Sequence, residues 1–306
     1  MGHYDATLRV REILLNQKQE ELIKQGIRFL QVHVPDINGF LRTKIAPFKL
    51  STGEALNCNL LCTAAGEGAP MHEPLFEVPL SNAQNGYPNI RAIADPATIR
   101  SHGWAKEWAS VILDSYTTEG EENSIDARHL LRRQELHAQS LGYDPLFAVE
   151  YELGIFERDE DLLADGRYRD LKPWGHGVIN YSVTRAQNQQ TFFAELIDRL
   201  ASMDIGVSSV TTEYGRGMYE FALTPKTPLE AADDAARARL VLQELCLENG
   251  LIATFMARFQ PPGRESACGG HHHQSLEGRQ ECFCHAIRRI ERCRQAVPGR
   301  TADLSS

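Results

Sequence analysis

The sequence has no long apolar run and no block of basic residues. Its 306 residues are 42% hydrophobic and 24% charged, with a net charge of −9. No stretch approaches the roughly 20 apolar residues that cross a bilayer. The acidic balance argues against nucleic-acid binding. The amino terminus, MGHYDATLRVREILLNQKQEE, lacks an apolar signal core. We therefore expect a cytoplasmic protein with neither nucleic acid nor membrane as a partner.

Cysteines are few and lack the spacing of a disulfide framework. An odd number of seven, without pairing in the sequence, indicates reduced thiols. Cys282 and Cys284 form only a C-x-C pattern, which is weak evidence for a metal site. The composition as a whole is that of a globular chain with one large or two medium domains.

The first 116 residues combine one helix with short strands. Leucine, valine and isoleucine recur at helical intervals over residues 5–25, and Gly26 ends this pattern. IRFLQVHVPD, GFLRTKIAP and WASVILDSY are typical of strands, whereas residues 50–100 show no strong period. We expect an N-terminal helix in residues 1–25, a small β domain over 26–116 and a polar, acidic linker at 117–128.

The second part of the chain alternates strands with longer helices. Helices are predicted from Arg128 to Leu141, over residues 188–204, and from Pro228 to Asn249. FAVEYELGIF and LIATFMARF are predicted to be strands. GVSSVTTEYGRGMYEFAL is predicted to form a β-hairpin that turns near Gly215–Gly217. The fold class is therefore α+β, with a small first part and a larger second part.

Four glutamates fall on these predicted strands. Glu150 and Glu152 lie two residues apart, so they share one face of their strand. Glu213 and Glu220 flank the hairpin turn and are expected to lie opposite each other. Opposed like charges are destabilising, so a cation such as Mg²⁺ or Mn²⁺ would suit the group. Strand positions that simply face solvent are the alternative explanation.

Near the end of the chain, GGHHHQSL contains three consecutive histidines. The run is too short and too internal for a purification tag. Adjacent histidines also cannot all turn toward one zinc ion. On a strand, His271 and His273 would share a face and His272 would point away. Either a metal ligand or an ordinary structural histidine fits this pattern.

Taken together, these motifs resemble the glutamine synthetase family. VPDINGFLRTK resembles the opening of its small N-terminal β-grasp domain, and VEYELGIF resembles its E-x-E strand. TTEYGRGMYEF resembles its E-x-x-x-G-Q-x-E hairpin, and ATFMARF followed by GGHHHQSL resembles a later conserved stretch. The resemblance covers about residues 25–276. It implies a β-grasp domain followed by a catalytic β-barrel/α domain, incomplete here, over residues 129–276.

The resemblance also implies an activity. Family members use ATP to join the γ-carboxylate of glutamate to ammonia or an amine, through γ-glutamyl phosphate. It implies that Glu152, Glu213 and Glu220 hold one Mg²⁺ or Mn²⁺, and that Glu150 and His271 hold a second, which bridges the ATP phosphates. His273 and Ser275 match positions near the nucleotide, and no catalytic residue is assigned. Full-length members form homo-oligomers with active sites between subunits.

Several positions depart from the family pattern. GEALNCNLLCTAAGEG lacks the Asp of the D-G-S-S segment that helps to deprotonate ammonium, which favours a larger amine or a divergent member. Met218 stands where Gln is usual, and Ala257–Arg258–Phe259 replaces a run that contains Lys. Ala267 aligns with a glycine of the loop that contacts glutamate, so the identity of the substrate is open.

The final segment, residues 277–306, fits neither the preceding sequence nor the family. CHAIRRIERCRQAVPGRTADLSS can be back-translated so that the frame one base later encodes ATRSGGLSDVAKQFLAGQLTYL. LSDVAKQFLAGQL resembles the helix that follows HQSL in this family. Our hypothesis is a frameshift near Leu276–Arg279, in the gene or in its sequence. Genomic DNA that cannot encode LSDVAKQF in the shifted frame would contradict it.

A chain that ends in this way is expected to be poorly soluble and to have little or no ligase activity. Exposed strand edges and the loss of arginines that stabilise the transferred phosphoryl group are the reasons. A non-catalytic binding or regulatory member is therefore an alternative to a ligase. A carboxylate-rich metallohydrolase would explain the glutamates but not the ordered motifs.

Overall fold

The computed structural model describes residues 2–256 and 259, with gaps at 37–38, 48–53, 58–81, 87, 118, 176 and 178. Within these ranges the chain forms two β-sheets and six α-helices, which is the predicted α+β class. None of these helices is both long enough and apolar enough to cross a membrane.

The N-terminal sheet has strand order β2-β1-β6-β4-β3, and a short β5 also pairs with β6. β1 and β6 are parallel, and the other pairs are antiparallel. The strands are β1 (Phe29–Pro35), β2 (Leu41–Pro47), β3 (Glu54–Asn57), β4 (Asn89–Ala94), β5 (Arg100–Ser101) and β6 (Trp108–Tyr116). β1, β2 and β6 are confirmed, whereas β3, β4 and β5 lie in the stretch that showed no period.

Strand β6 is buried at every residue after Trp108, because both of its faces are covered. Ala109, Val111 and Leu113 face an apolar cluster that includes Leu15 and Leu22 of the N-terminal helix α1 (Gly2–Lys24). The alternate residues of β6 face the C-terminal part of the chain. The predicted helix is confirmed and begins three residues earlier than residue 5. Gly26, with φ +86°, follows it.

The C-terminal sheet has strand order β10-β7-β9-β8, with all neighbours antiparallel. Its strands are β7 (Glu150–Glu157), β8 (Val207–Thr212), β9 (Met218–Leu223) and β10 (Leu251–Thr254). The helices that accompany it are α2 (Ala127–Ser140), α3 (Glu160–Ala164), α4 (Val183–Asn188), α5 (Gln190–Ser202) and α6 (Pro228–Glu248). The predicted hairpin and the three long helices are confirmed, and the two predicted strands are confirmed over Glu150–Glu157 and Leu251–Thr254.

Helices α5 and α6 cover one face of this sheet. Their apolar side chains form a single cluster with the inward residues of the strands, including Leu153, Tyr219, Leu196 and Leu242, which are 1% exposed or less. Ile197, also on α5, is 39% exposed. The opposite face of the sheet is left for other contacts.

A network of buried charges, here called the junction network, joins the N-terminal sheet to α2 and α6. Arg128 of α2 ion-pairs with Asp114 of β6 and donates two hydrogen bonds of 2.8 Å to Asp233 of α6. Arg132 and Arg11 also donate to Asp114, at 3.0 and 2.6 Å. Burial alone would raise the pKa of Asp114, but these three arginines outweigh it and lower the pKa to about 2.

The polar segment 117–128, predicted to be a linker, contains buried polar residues. Asn123 and Asp126 are buried, and the Asp126 carboxylate caps the start of α2 and accepts from Ser115 at 2.7 Å. The domain boundaries at 1–25, 26–116, 117–128 and 129–276, and the β-grasp assignment, stay predictions.

Candidate functional site

The face of the C-terminal sheet that α5 and α6 leave uncovered carries the predicted glutamates. Glu152 of β7 and Glu220 of β9 are direct register partners, and Thr211 of β8 continues the row. Glu150 pairs with Ala222 one step along. Because side chains alternate along a strand, Tyr151 and Phe221 point into the apolar core instead. We call this surface, with Glu150, Glu152, Glu213 and Glu220, the carboxylate face.

The position of Glu213 corrects one prediction. Glu213 does not lie opposite Glu220, because its backbone N–H donates to the carbonyl of Met218 at 3.0 Å. The turn from Glu213 to Met218 fixes the hairpin register, and that register places Thr211 across from Glu220. Glu213 is therefore a diagonal neighbour of Glu220. The directly opposed carboxylates are Glu152 and Glu220.

Charge repulsion acts strongly on Glu220. Partial burial and then the negative charges of Glu150, Glu213 and Glu152 raise the pKa of Glu220 to about 7. Each of the other three predicted carboxylates therefore acts electrostatically on Glu220. Such a group of oxygen donors is the type that hard divalent cations such as Mg²⁺ and Mn²⁺ prefer.

The hairpin turn is held by a buried arginine that no sequence motif singles out. Arg185 of α4 donates hydrogen bonds to the carbonyls of Glu213, Gly215 and Met218, at 3.0 to 3.2 Å. Gly217, with φ +71°, lies within the turn, and a Cβ there would lie 2.6 Å from the Ile155 carbonyl oxygen. These contacts fix the backbone from which Glu213 and Glu220 extend. No local pattern marks Arg185, since its partners are about 30 residues away.

An apolar wall borders the carboxylates at the next register step. A Cβ on Gly154 would lie 2.7 Å from the ring of Phe259, so glycine makes room for that ring. Phe259 also contacts Phe156 edge-on, with ring centroids 5.3 Å apart. Met218 is the register partner of Gly154 and is buried. The carboxylate face is thus acidic on one side and aromatic on the other.

The structure brings together four of the predicted site residues. Glu150, Glu152, Glu213 and Glu220 share the carboxylate face, whereas His271, His273 and Ser275 lie outside the described residues. Among the described residues, no three carboxylate, imidazole or thiolate groups converge as a ready-made metal site. The donor chemistry fits a divalent cation, and the assignment of these residues as ligands stays a prediction.

Comparison with known proteins gives a family match over more than half of the chain. The model of the glutamine synthetase catalytic domain matches residues 124–296, which extends past residue 276 into the segment predicted to be aberrant. A glutamate–isopropylamine ligase from a Pseudomonas species is 29% identical over 63% of this chain. A γ-glutamylethanolamide synthetase, GlnA4, from Streptomyces coelicolor is 25% identical over 74%.

A solved structure, that of a GmaS/ADP complex, has the same fold. It superposes with a TM-score of 0.63 and 17% sequence identity, over 78% of this chain. The chain spans only part of these proteins: 41% of the isopropylamine ligase, 49% of the ethanolamide synthetase and 51% of the GmaS chain. The segment that matches the family model, residues 124–296, includes all four glutamates of the carboxylate face.

Proposed function

We propose that this chain, which belongs to the glutamine synthetase family, carries the metal-binding carboxylates of an ATP-dependent ligase. The reaction joins the γ-carboxylate of glutamate to ammonia or an amine through γ-glutamyl phosphate. One observation carries the proposal: four glutamates share one face of the sheet, and Glu152 lies directly opposite Glu220. Burial and then the charges of the three neighbouring glutamates raise the pKa of Glu220, and a cation would relieve the repulsion that they exert on it.

In this proposal Glu152, Glu213 and Glu220 hold one divalent ion. Glu150 and His271 hold the other, and His273 and Ser275 lie near the nucleotide. Bound Mg²⁺ would neutralise phosphate charge during phosphoryl transfer. The residues of this chain supply negative oxygens on a rigid sheet, which Arg185 and the glycine turn keep in register. A sheet-mounted donor set needs little reorganisation when a cation binds.

Two relatives support an amine larger than ammonia as the acceptor. One acts on isopropylamine and the other makes an ethanolamide. The apolar wall of Phe156, Phe259 and Met218 beside the carboxylates is consistent with an acceptor that carries an alkyl group. We propose a substituted amine, with glutamate and ATP as the other substrates and a homo-oligomer as the working form.

The first test is divalent-ion binding. Calorimetric titration of the full chain with Mn²⁺ is expected to show binding, and Glu152→Gln is expected to weaken it by at least about tenfold. Glu157→Gln is the matched control, because Glu157 ends the same strand but ion-pairs with Lys172 at 2.6 Å. If Mn²⁺ fails to bind, or both variants weaken it equally, the assignment of the carboxylate face is wrong.

The second test is turnover. Phosphate release from ATP is measured with glutamate alone and with added ammonia, isopropylamine or ethanolamine. Release that requires both glutamate and an amine supports the ligase. Metal binding without turnover supports instead the alternative, a non-catalytic member of the family.

A further inference from the structure

A small cavity lies between the N-terminal sheet and helix α6, away from the carboxylate face. The volume that a water molecule can occupy in it is about 10 Å³. Its walls include Gln31, His33, His102, Ser110, Arg237 and Glu244. These residues come from β1, the loop after β5, β6 and α6. A space of about 10 to 15 Å³ holds a single water molecule.

Three residues of this wall have buried polar atoms whose hydrogen bonds are unmade. His102 Nε2, Ser110 Oγ and Arg237 Nε find no hydrogen-bond partner among the described residues. All three residues are at least nine-tenths buried, at 6%, 0% and 1% exposure. Each unmade bond of a buried group costs on the order of 1 to 3 kcal/mol. Because these three residues line one cavity, a ligand bound there is placed to serve all three.

We propose that one water molecule binds in this cavity and bridges Arg237, Ser110 and His102. The Arg237 Nε–H can only donate, so the ligand must accept a hydrogen bond. The Ser110 hydroxyl and a neutral imidazole can each donate or accept, so the same ligand can be shared with both. A water with three polar partners is typical of buried sites.

The groups that face the cavity favour a neutral ligand over an anion. His33 is held at Nδ1 by Thr43 Oγ1 at 2.7 Å, and His102 stacks on Trp104 with ring centroids 4.9 Å apart. Glu244 brings a carboxyl group to the wall. Asp233 and Asp234 lie one turn before Arg237 on α6 and offset its positive charge. An added anion would have to approach these carboxylates.

The water would add to the direct contacts that join the N-terminal sheet to α5 and α6 around the cavity. Arg237 donates to the carbonyl of Thr98, and the Gly103 N–H donates to Ser202 Oγ at 3.1 Å. The guanidinium of Arg199 lies over the Trp104 ring at 5.3 Å. These bonds join the N-terminal sheet to α5 and α6 on either side of the cavity. The bound water links β6, the loop at 102–107 and α6 through one molecule.

The test counts long-lived internal waters by ¹⁷O magnetic relaxation dispersion on the full chain. Ser110→Val fills the cavity with two methyl groups, and its count is expected to be one lower than wild type. Ser110→Ala is the control, because it removes the hydroxyl but leaves the space and two partners, so its count is expected to stay. Equal counts in wild type and Ser110→Val would overturn the proposal.

A crystal structure of the wild-type chain grown with bromide gives a second answer that needs no variant. Oxygen density bonded to Arg237, Ser110 and His102, without an anomalous signal, is the expected result. An anomalous bromide peak would replace the water with an anion, and an empty cavity would show that the three atoms stay unpaired. Either of the last two results contradicts the proposal.

Discussion

Two groups of acidic side chains in this molecule have pKa shifts of opposite sign, although burial alone would raise the pKa in both. In the junction network, three arginines surround Asp114 and lower its pKa to about 2. On the carboxylate face, burial and three neighbouring glutamates raise the pKa of Glu220 to about 7. The first group is neutralised from within the chain, so its role is structural. In the second group the repulsion between Glu220 and its three neighbours persists in the folded chain, as expected of a site that binds a cation from solution.

The largest effect is expected from breaking the junction network. Arg128→Met leaves Asp114 and Asp233 buried without their main partner, which should cost about 3 to 5 kcal/mol of unfolding free energy. Urea denaturation measures it. Arg133→Met on the same helix is the control, because Arg133 and its partner Glu122 are about half exposed and such pairs contribute less than about 1 kcal/mol. A similar loss of unfolding free energy in both variants would show that Arg128 contributes no more to stability than an exposed arginine.

The next largest effect is expected from acid, through two buried histidines that line the cavity between the N-terminal sheet and α6. Burial and then the charge of Arg237 lower the pKa of His33 to about 3 and that of His102 to about 4. Below pH 6.5 these two histidines bind protons in the unfolded chain but stay neutral in the folded chain. The free energy of unfolding therefore falls as pH decreases. Between pH 6.5 and 5, each histidine should cost roughly 2 kcal/mol.

Variants separate this effect from general acid destabilisation. His102→Gln should remove about half of the extra loss measured by urea denaturation at pH 5. His137→Gln, at an exposed position near the end of α2, should leave the loss unchanged. An equal response of the two variants would show that the buried histidines do not control the acid sensitivity.

The smallest effect should come from the carboxylate face, with the opposite sign. Because the pKa of Glu220 is raised in the folded state, its contribution to the free energy of unfolding is lost as pH rises from 4.5 through 7. At pH 8, Glu220→Gln should therefore stabilise the metal-free chain, by about 1 kcal/mol after solvent screening. Asp114→Asn should destabilise it at the same pH. Thermal unfolding compares the pair, and equal signs would remove the contrast between the two clusters.

Local patterns explain how much of the fold the sequence predicts. The long helix α6 is predicted because Pro228 begins it and Gly250, with φ +67°, follows it. The hairpin is predicted from the alternation around Gly215–Gly217. β3, β4 and β5 are missed because they are only two to six residues long and lie among polar and glycine-rich stretches.

The site shows the limit of such patterns. The shared face of Glu150 and Glu152 follows from period two, but the partner of Glu220 depends on hairpin register, which the turn sets. The opposition of Glu152 to Glu220 joins strands 68 residues apart in the chain. The partners of Arg185 and Arg128 and the position of the cavity depend on tertiary packing. No spacing of residues in the sequence predicts them.

The position of β6 also orders events during synthesis. Its parallel pairing with β1 joins Phe29 to Trp108, and Arg128 meets Asp233 across 105 residues. The N-terminal sheet therefore cannot acquire its full charge balance until α6 has left the ribosome. Until then Arg128 lacks Asp233 in a partly folded nascent chain, and chaperones can bind this state before the junction network is complete.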